Sequence, residues 1–337
     1  MGLIHSFFTL NALRSDFLQE IENPRSAEAD RDSTLYAIRF LSYNTRMKTP
    51  QGSHPALAKE IGISALYLKR EDLHPYGSHK GRSLGAMIDQ YVEENITEFA
   101  ISSSGNAALA AGLHILDVNK TRTDSPLSLS IFIGANIERE KERTLRERLQ
   151  DSRIEIKKNE RPIQALHEAV RQGKKSLRQS TDNKALIGYF DLARELTDIP
   201  HLGAVFVPTS SGTTAQGVAE AFQKISPSTQ VHIVQTSSCH PLSGEFEQFE
   251  TDEKSSANAI VDKTAFRKSK LIPLIKRSRG RGWIADNKTI AEAQKILKKK
   301  LQIDLNPNGV LSFAGLLLAI EKKYPLSGSV VCIIGGK

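Results

Sequence analysis

Residues 67–89 read YLKREDLHPYGSHKGRSLGAMID, and within this one stretch the chain passes from strand to turn to helix. Leu66–Lys69 opens it as a short apolar run of the kind found in buried strands. His74-Pro75-Tyr76-Gly77-Ser78 is turn chemistry, because proline fixes φ and glycine permits a positive one. From Lys80 to Glu94 the apolar Leu84, Met87, Ile88 and Tyr91 recur at helical spacing. Ser78 is a good N-cap, which puts His79, Lys80 and Gly81 in the first helical turn. A lysine there is unusual, since the positive end of the helix dipole disfavours a cation. Two readings stay open at this point. The stem can snorkel to solvent, or the helix field can help depress the amine towards a nucleophile.

The same alternation continues outward. Strand candidates follow at Phe99–Ser102, Leu127–Ile133, Ile154–Lys157, Ala204–Pro208, Val231–Gln235 and Ser329–Ile334, short and apolar as in a sheet covered on both faces. Helical patterns fall between them, at Asn106–Asp117, Arg139–Leu149, Pro162–Gln172, Leu186–Leu196, Thr214–Gln223, Ile290–Lys300 and Ser312–Lys323. This predicts an α/β fold with mostly parallel twisted sheets and helices on both faces. Residues 1–35 are polar, mixed and weakly helical, and Glu250–Lys263 reads as a flexible loop or surface excursion.

Composition narrows the function classes. The chain has 337 residues with 39% hydrophobic and 25% charged, enough for two domains of an ordinary globular protein. Its net charge of +8 is spread over RERLQ, KKNERP, RQGKKSLR, KRSRGRG and KILKKK. Aromatics do not interleave with these clusters as a single-strand stacking platform requires, so solvated helix faces are expected and no nucleic-acid partner. No run approaches the roughly 18–20 apolar residues of a membrane span, and no signal peptide is expected. Cys239 and Cys332 are far apart and form neither a disulfide framework nor a metal spacing, which suits a reducing cytoplasm. No metal is expected, and a homodimer is the default assembly. His54, His74, His114 and His240 fit no metal pattern and read as structural or solvent-facing, and Trp283 as packing.

Two further strand-to-helix loops carry chemistry. Ser103-Ser104-Gly105-Asn106-Ala107-Ala108 follows a strand, and its small residues let backbone N–H groups point out of a helix start. A capped helix with structural serines is the plain alternative. Thr209-Ser210-Ser211-Gly212-Thr213-Thr214 combines hydroxyls, one glycine and a helix N-terminus, the physical kit for a phosphate monoester. It is neither a Walker loop nor a dinucleotide fingerprint.

In this order the three segments resemble the fold-type II pyridoxal-phosphate (PLP) enzymes, from about Thr49 to the C-terminus, and among them threonine synthase most. KREDLHPYGSHKGR resembles the lysine motif, which implies a Schiff base on Lys80, with His79 in reach of the cofactor phosphate. SSSGNAA resembles the loop for the substrate carboxylate and the cofactor 3-hydroxyl, implying Ser103, Ser104, Gly105 and Ala107 for the first and Asn106 for the second. SSGTTAQG resembles the phosphate loop, implying Ser210, Ser211, Gly212, Thr213 and Thr214. The resemblance implies two three-layer domains, residues 1–78 with 185–337 and residues 79–184, with the cofactor in the cleft. It implies a small amino-acid substrate and elimination or replacement at the β or γ carbon. The alternatives are a serine/threonine ammonia-lyase, a cysteine synthase-type β-replacement enzyme, or a PLP-binding protein without turnover. Two positions depart from the pattern. Ser210 and Thr213 stand where relatives have glycine, and Ile334 stands where relatives place a serine or threonine facing the pyridine nitrogen. Cys332 shares its face, about 6–7 Å back along the strand.

Overall fold

The structure, a computed structural model, describes residues 47–251 and 254–336. The helical reading of residues 1–35 and the opening part of the 1–78 segment lie outside them. The described residues belong to one compact unit.

Two sheets organise it. The larger has the order β1 (Gln51–Ser53), β2 (Ala65–Arg70), β10 (Ser329–Ile334), β7 (Leu202–Pro208), β8 (Gln230–Thr236), β9 (Gly282–Ala285). Every pair is parallel except β1 with β2. The smaller sheet is parallel throughout, in the order β5 (Ile154–Asn159), β4 (Ser128–Gly134), β3 (Glu98–Ser102), β6 (Lys175–Ser176). Parallel neighbours need long crossovers, and helices supply them. These are α1 (Pro55–Ile61), α2 (Lys80–Glu93), α3 (Asn106–Asn119), α4 (Arg139–Arg148), α5 (Pro162–Arg171), α6 (Ile187–Leu196), α7 (Thr213–Ile225), α8 (Lys268–Arg277), α9 (Asn287–Leu301) and α10 (Leu311–Glu321).

The last strand of the chain lies in the middle of the larger sheet, and its sequence SVVCII explains why. Every residue is buried, so only a position covered on both faces suits it. Alternation divides it between two cores. Val330, Cys332 and Ile334 join Leu66, Leu68 and Phe206 under α1, α9 and α10. Val331 and Ile333 join Val205, Val207 and Ile233 under α6, α7 and α8. In the smaller sheet Ala100 and Phe132 meet Leu166 and Ala169 of α5 on one face, and Phe99 lies beside Tyr91 of α2 on the other.

All seven expected strands are present, and so are the expected helices. Three strands and two helices were not anticipated, namely β1, β6, β9, α1 and α8. The strands are two to four residues long, too short for a period to register. Helix α8, KSKLIPLIKR, carries an internal proline and reads locally as a basic cluster, yet Leu271, Ile272 and Ile275 are buried. The expectation for Glu250–Lys263 needs correcting where the structure describes it. Ala257 and Ile260 belong to the core under α9 and α10, so this part is packed rather than a free excursion.

Candidate active site

Because the central strands are parallel, their C-terminal ends open on one edge of the larger sheet, the usual place for a ligand in such folds. The loop after β2 leads to Lys80, the loop after β7 is 209–212, and β10 ends at Gly335-Gly336 between them. Ser78 and Gly336 form an antiparallel bridge, and the backbone N–H and ring Nδ1 of His79 both bond to the Gly335 carbonyl. Gly336 has φ 139°, and a Cβ there would lie 2.6 Å from Cβ of Ser78 and 3.1 Å from Nδ2 of Asn106. Glycine there lets the end of β10 lie close against the lysine turn and Asn106.

Lys80 is the first residue of α2. The cap position falls on His79 and not on Ser78 as expected, so His79 lies outside the first turn, and Ser78 Oγ accepts from the Lys80 N–H at 3.3 Å. The Lys80 side chain is half-buried. Burial first, then the Arg267 guanidinium, lowers its pKa to about 8, against an opposing pull from Asp262. The amine is thus far closer to its neutral, nucleophilic form at physiological pH than a surface lysine. His79 is held neutral, lowered to about 4 by burial and by Lys80. Since its Nδ1 must donate to a carbonyl, Nε2 is left as an acceptor, which does not suit a phosphate contact from the neutral ring.

Ser103, Ser104, Gly105, Asn106 and Ala107 lie half-buried at the start of α3. The Gly105 N–H bonds to Ser103 Oγ at 3.3 Å. A Cβ at Gly105 would meet nothing within 4 Å, so the loop borders open space.

The 210–214 loop is built around Gly212, whose φ of 91° lies in the left-handed region and which caps α7. A side chain there would also press on Leu271 and Leu242. The first N–H groups of α7 have no partner inside the helix. The two hydroxyl residues that replace glycines both have partners. Ser210 Oγ accepts from the N–H groups of Val261 and Asp262 at 3.2 and 3.3 Å, pinning the 254–263 segment over the loop. Thr213 Oγ1 lies 2.9 Å from Ser211 Oγ and accepts from Arg267 Nε at 3.1 Å. Thr214 is buried beside Tyr189, whose hydroxyl is buried without a well-formed hydrogen bond and is pushed up to about 12 by burial.

Ile334 and Cys332 are fully buried in the apolar core, and burial raises the Cys332 thiol. Neither side chain lines the opening between the loops. Trp283 is packing, as expected, with its Nε1 donating to His232 at 3.2 Å. Among the other histidines, His74 and His114 are buried, His114 facing Asp89 and Tyr76.

Two sets of residues escaped the sequence reading. Arg267 reaches the loop from just before α8, and nothing in FRKSK distinguishes it from a surface cluster. Arg82, two residues past Lys80, is clamped by Glu71 and Glu195, a pairing across more than a hundred residues. Neither has a local signal. A groove of about 770 Å³ bordered by Tyr76, Leu116, Arg122 and Arg153 is not lined by Lys80.

Comparison with known proteins agrees with this fold. The family model described as pyridoxal-phosphate dependent enzyme matches residues 44–116 and 128–336. Threonine synthase of Methanocaldococcus jannaschii is 24% identical, over 94% of this chain and 84% of its own. Among solved structures, maize serine racemase superposes with a TM-score of 0.71 at 20% identity, covering 92% of this chain and 94% of that one. Threonine deaminase isoform 2 from Solanum lycopersicum gives 0.71 at 19%, covering 93% and 86%. With a helix-start lysine, a glycine-capped loop and these matches together, the chain belongs to the pyridoxal-phosphate dependent enzyme family, in its fold-type II branch, with PLP as cofactor.

Proposed function

We propose that the protein is a threonine synthase-like lyase that acts on a small amino acid at the β or γ carbon. The observation that carries the reading is the Lys80 amine, lowered to about 8 and shared electrostatically with Arg267, which itself bonds the 210–214 loop. One small molecule with an aldehyde and a phosphate suits a reactive amine beside a helix-start loop. Residues 79–184, which contain the whole smaller sheet, would form one domain, and residues 1–78 with 185–337 the other. The alignment with the archaeal threonine synthase over 94% of the chain supports this choice of reaction within the family.

PLP, when bound, spreads the electron pair left at the substrate Cα. The protein does the rest. Lys80 Nζ would hold the cofactor aldehyde and, as a free amine, would take and return the proton at the substrate Cα. Backbone N–H groups and hydroxyls of 103–107 would hold the substrate carboxylate at the start of α3, and Asn106 would meet the cofactor 3-hydroxyl. Ser211, Thr214 and the first N–H groups of α7 hold the phosphate. Ser210 serves by fixing the covering segment, and His79 by tying the end of β10 to the lysine turn.

The test is turnover of purified protein with O-phosphohomoserine, threonine and O-acetylserine, beside Lys80→Ala. Threonine formed from the first, lost with Lys80→Ala, supports the reading. Product from threonine makes the protein an ammonia-lyase, and product from O-acetylserine a β-replacement enzyme. Cofactor binding with no turnover on any of them makes it a binding protein. Turnover that survives Lys80→Ala would sink the lysine assignment.

A further inference from the structure

Arg267 is 5% exposed, and a buried guanidinium ordinarily has a carboxylate partner. This one has none among the described residues. All five of its N–H groups go to neutral oxygens. Nε donates to Thr213 Oγ1 at 3.1 Å. One terminal nitrogen donates to the Asn183 and Gln216 side-chain oxygens, each at 3.2 Å. The other donates to the main-chain oxygens of Gln179 and Asp182, each at 2.6 Å. The two nearest negative charges are committed elsewhere. The Asp182 carboxylate accepts from Tyr91 and from the Lys184 N–H. Glu220 is reached only through the Gln216 amide, and burial pushes its carboxyl above the usual carboxylate range. The hydrogen bonds fix the guanidinium in place but leave its charge unbalanced.

The link to the loop is a pair of hydroxyls. Thr213 Oγ1 accepts from Arg267 and has one proton to place, either on Gln179 O at 3.2 Å or on Ser211 Oγ at 2.9 Å. Gln179 O already accepts from Arg267. If the Thr213 proton turns to Ser211, the Ser211 proton is released to point out of the loop, beside the N–H groups at the start of α7. An anion at the loop favours this second arrangement, because it meets a donor instead of a lone pair.

We infer that Arg267 is the counter-cation of the cofactor phosphate, acting from behind the loop through Thr213 and Ser211 without touching the phosphate. This rests on the proposed placement of the phosphate at 210–214. It makes Thr213 a relay. Arg267 is therefore a positioning residue: its pull on the Lys80 amine acts on both aldehydes alike, and its effect through the loop is confined to ligands that carry the phosphate.

The experiment is spectral titration of the apo full-length chain with PLP and with pyridoxal, the same aldehyde without its phosphate. At pH 10, where the Lys80 amine is mostly neutral, Arg267→Gln weakens PLP relative to pyridoxal by about 10- to 100-fold, the worth of a hydrogen-bonded charge; Arg267→Lys restores part of the loss. Thr213→Val keeps the other four Arg267 bonds and so guards against misfolding. It reproduces a smaller PLP-selective loss. Inorganic phosphate raises the melting temperature of the wild-type apo protein and raises that of Arg267→Gln less. Equal losses for PLP and pyridoxal in Arg267→Gln, or no loss for PLP, would overturn the inference. The placement is judged separately: if Gly212→Val, at the loop itself, leaves the PLP-to-pyridoxal preference intact, the phosphate does not sit there and both claims fall.

Discussion

Two buried arginines belong to different polar clusters and do opposite things. Arg82 bonds Glu71 through two nitrogens at 2.7 and 2.8 Å and Glu195 through two at 2.7 and 3.0 Å. Lys69 completes the group, 2.5 Å from Glu195 and 2.8 Å from the Thr49 carbonyl. Two cations face two carboxylates, and the charge closes within the protein. These bonds hold Arg82 firmly ionised, its pKa raised against the cost of burial. Arg267 is equally rich in hydrogen bonds but has no carboxylate, and burial lowers its pKa. The difference teaches that hydrogen-bond satisfaction and charge balance are separate conditions. A cluster that meets both ties elements together, here β2, the lysine helix α2 and α6. One that meets only the first is completed by a ligand.

The comparison can be broken most forcefully at Arg82. Arg82→Met leaves two carboxylates against Lys69 alone and should cost about 3–5 kcal/mol of apo-protein stability, measured by urea unfolding. It should not change the preference for PLP over pyridoxal in whatever fraction stays folded. Selective loss of PLP binding in Arg82→Met would erase the distinction between the two arginines.

A smaller effect comes from acid. His74 is buried beside the closed cluster, with Nδ1 accepting from the Tyr76 N–H at 3.1 Å, and burial lowers its pKa to about 4. The folded value lies below the unfolded one, so the native state is favoured while the ring is neutral. That contribution is complete above about pH 6.5 and is lost as pH falls towards 4, amounting to about 3 kcal/mol. His74→Asn, which can still accept from Tyr76, should flatten the decline in stability across this window. An unchanged slope would show that the acid sensitivity arises elsewhere.

The smallest effect is on Lys80 itself. Capture of PLP by the apo protein requires the neutral amine, so its rate should rise with pH around a midpoint near 8, where Lys80 titrates. Arg267→Gln removes a neighbouring cation and should move that midpoint upward, whereas Arg82, not among the causes of the shift, should leave it in place when replaced. Stopped-flow absorbance of cofactor capture across pH 6–10 reads both.

Much of this molecule was legible before its folding was known. Strand–helix alternation, the turn chemistry of His74–Ser78 and the two loops at helix starts are local properties, set by side-chain period, by φ limits on proline and glycine, and by unpaired N–H groups at helix ends. They sufficed for the fold class and marked the lysine turn and the hydroxyl-lined loop, whose roles came from the resemblance to the family. What stayed hidden depends on distance along the chain. Arg267 meets Thr213 across 54 residues, Arg82 meets Glu195 across 113, and His79 meets Gly335 across 256. Whether a charge is balanced, whether a hydroxyl is free and how far an amine is desolvated depend on which neighbours packing brings, and a linear sequence does not contain those distances. Ile334 illustrates the limit. From the sequence it was a residue placed at the cofactor ring, and only the central position of β10 assigned it to the core.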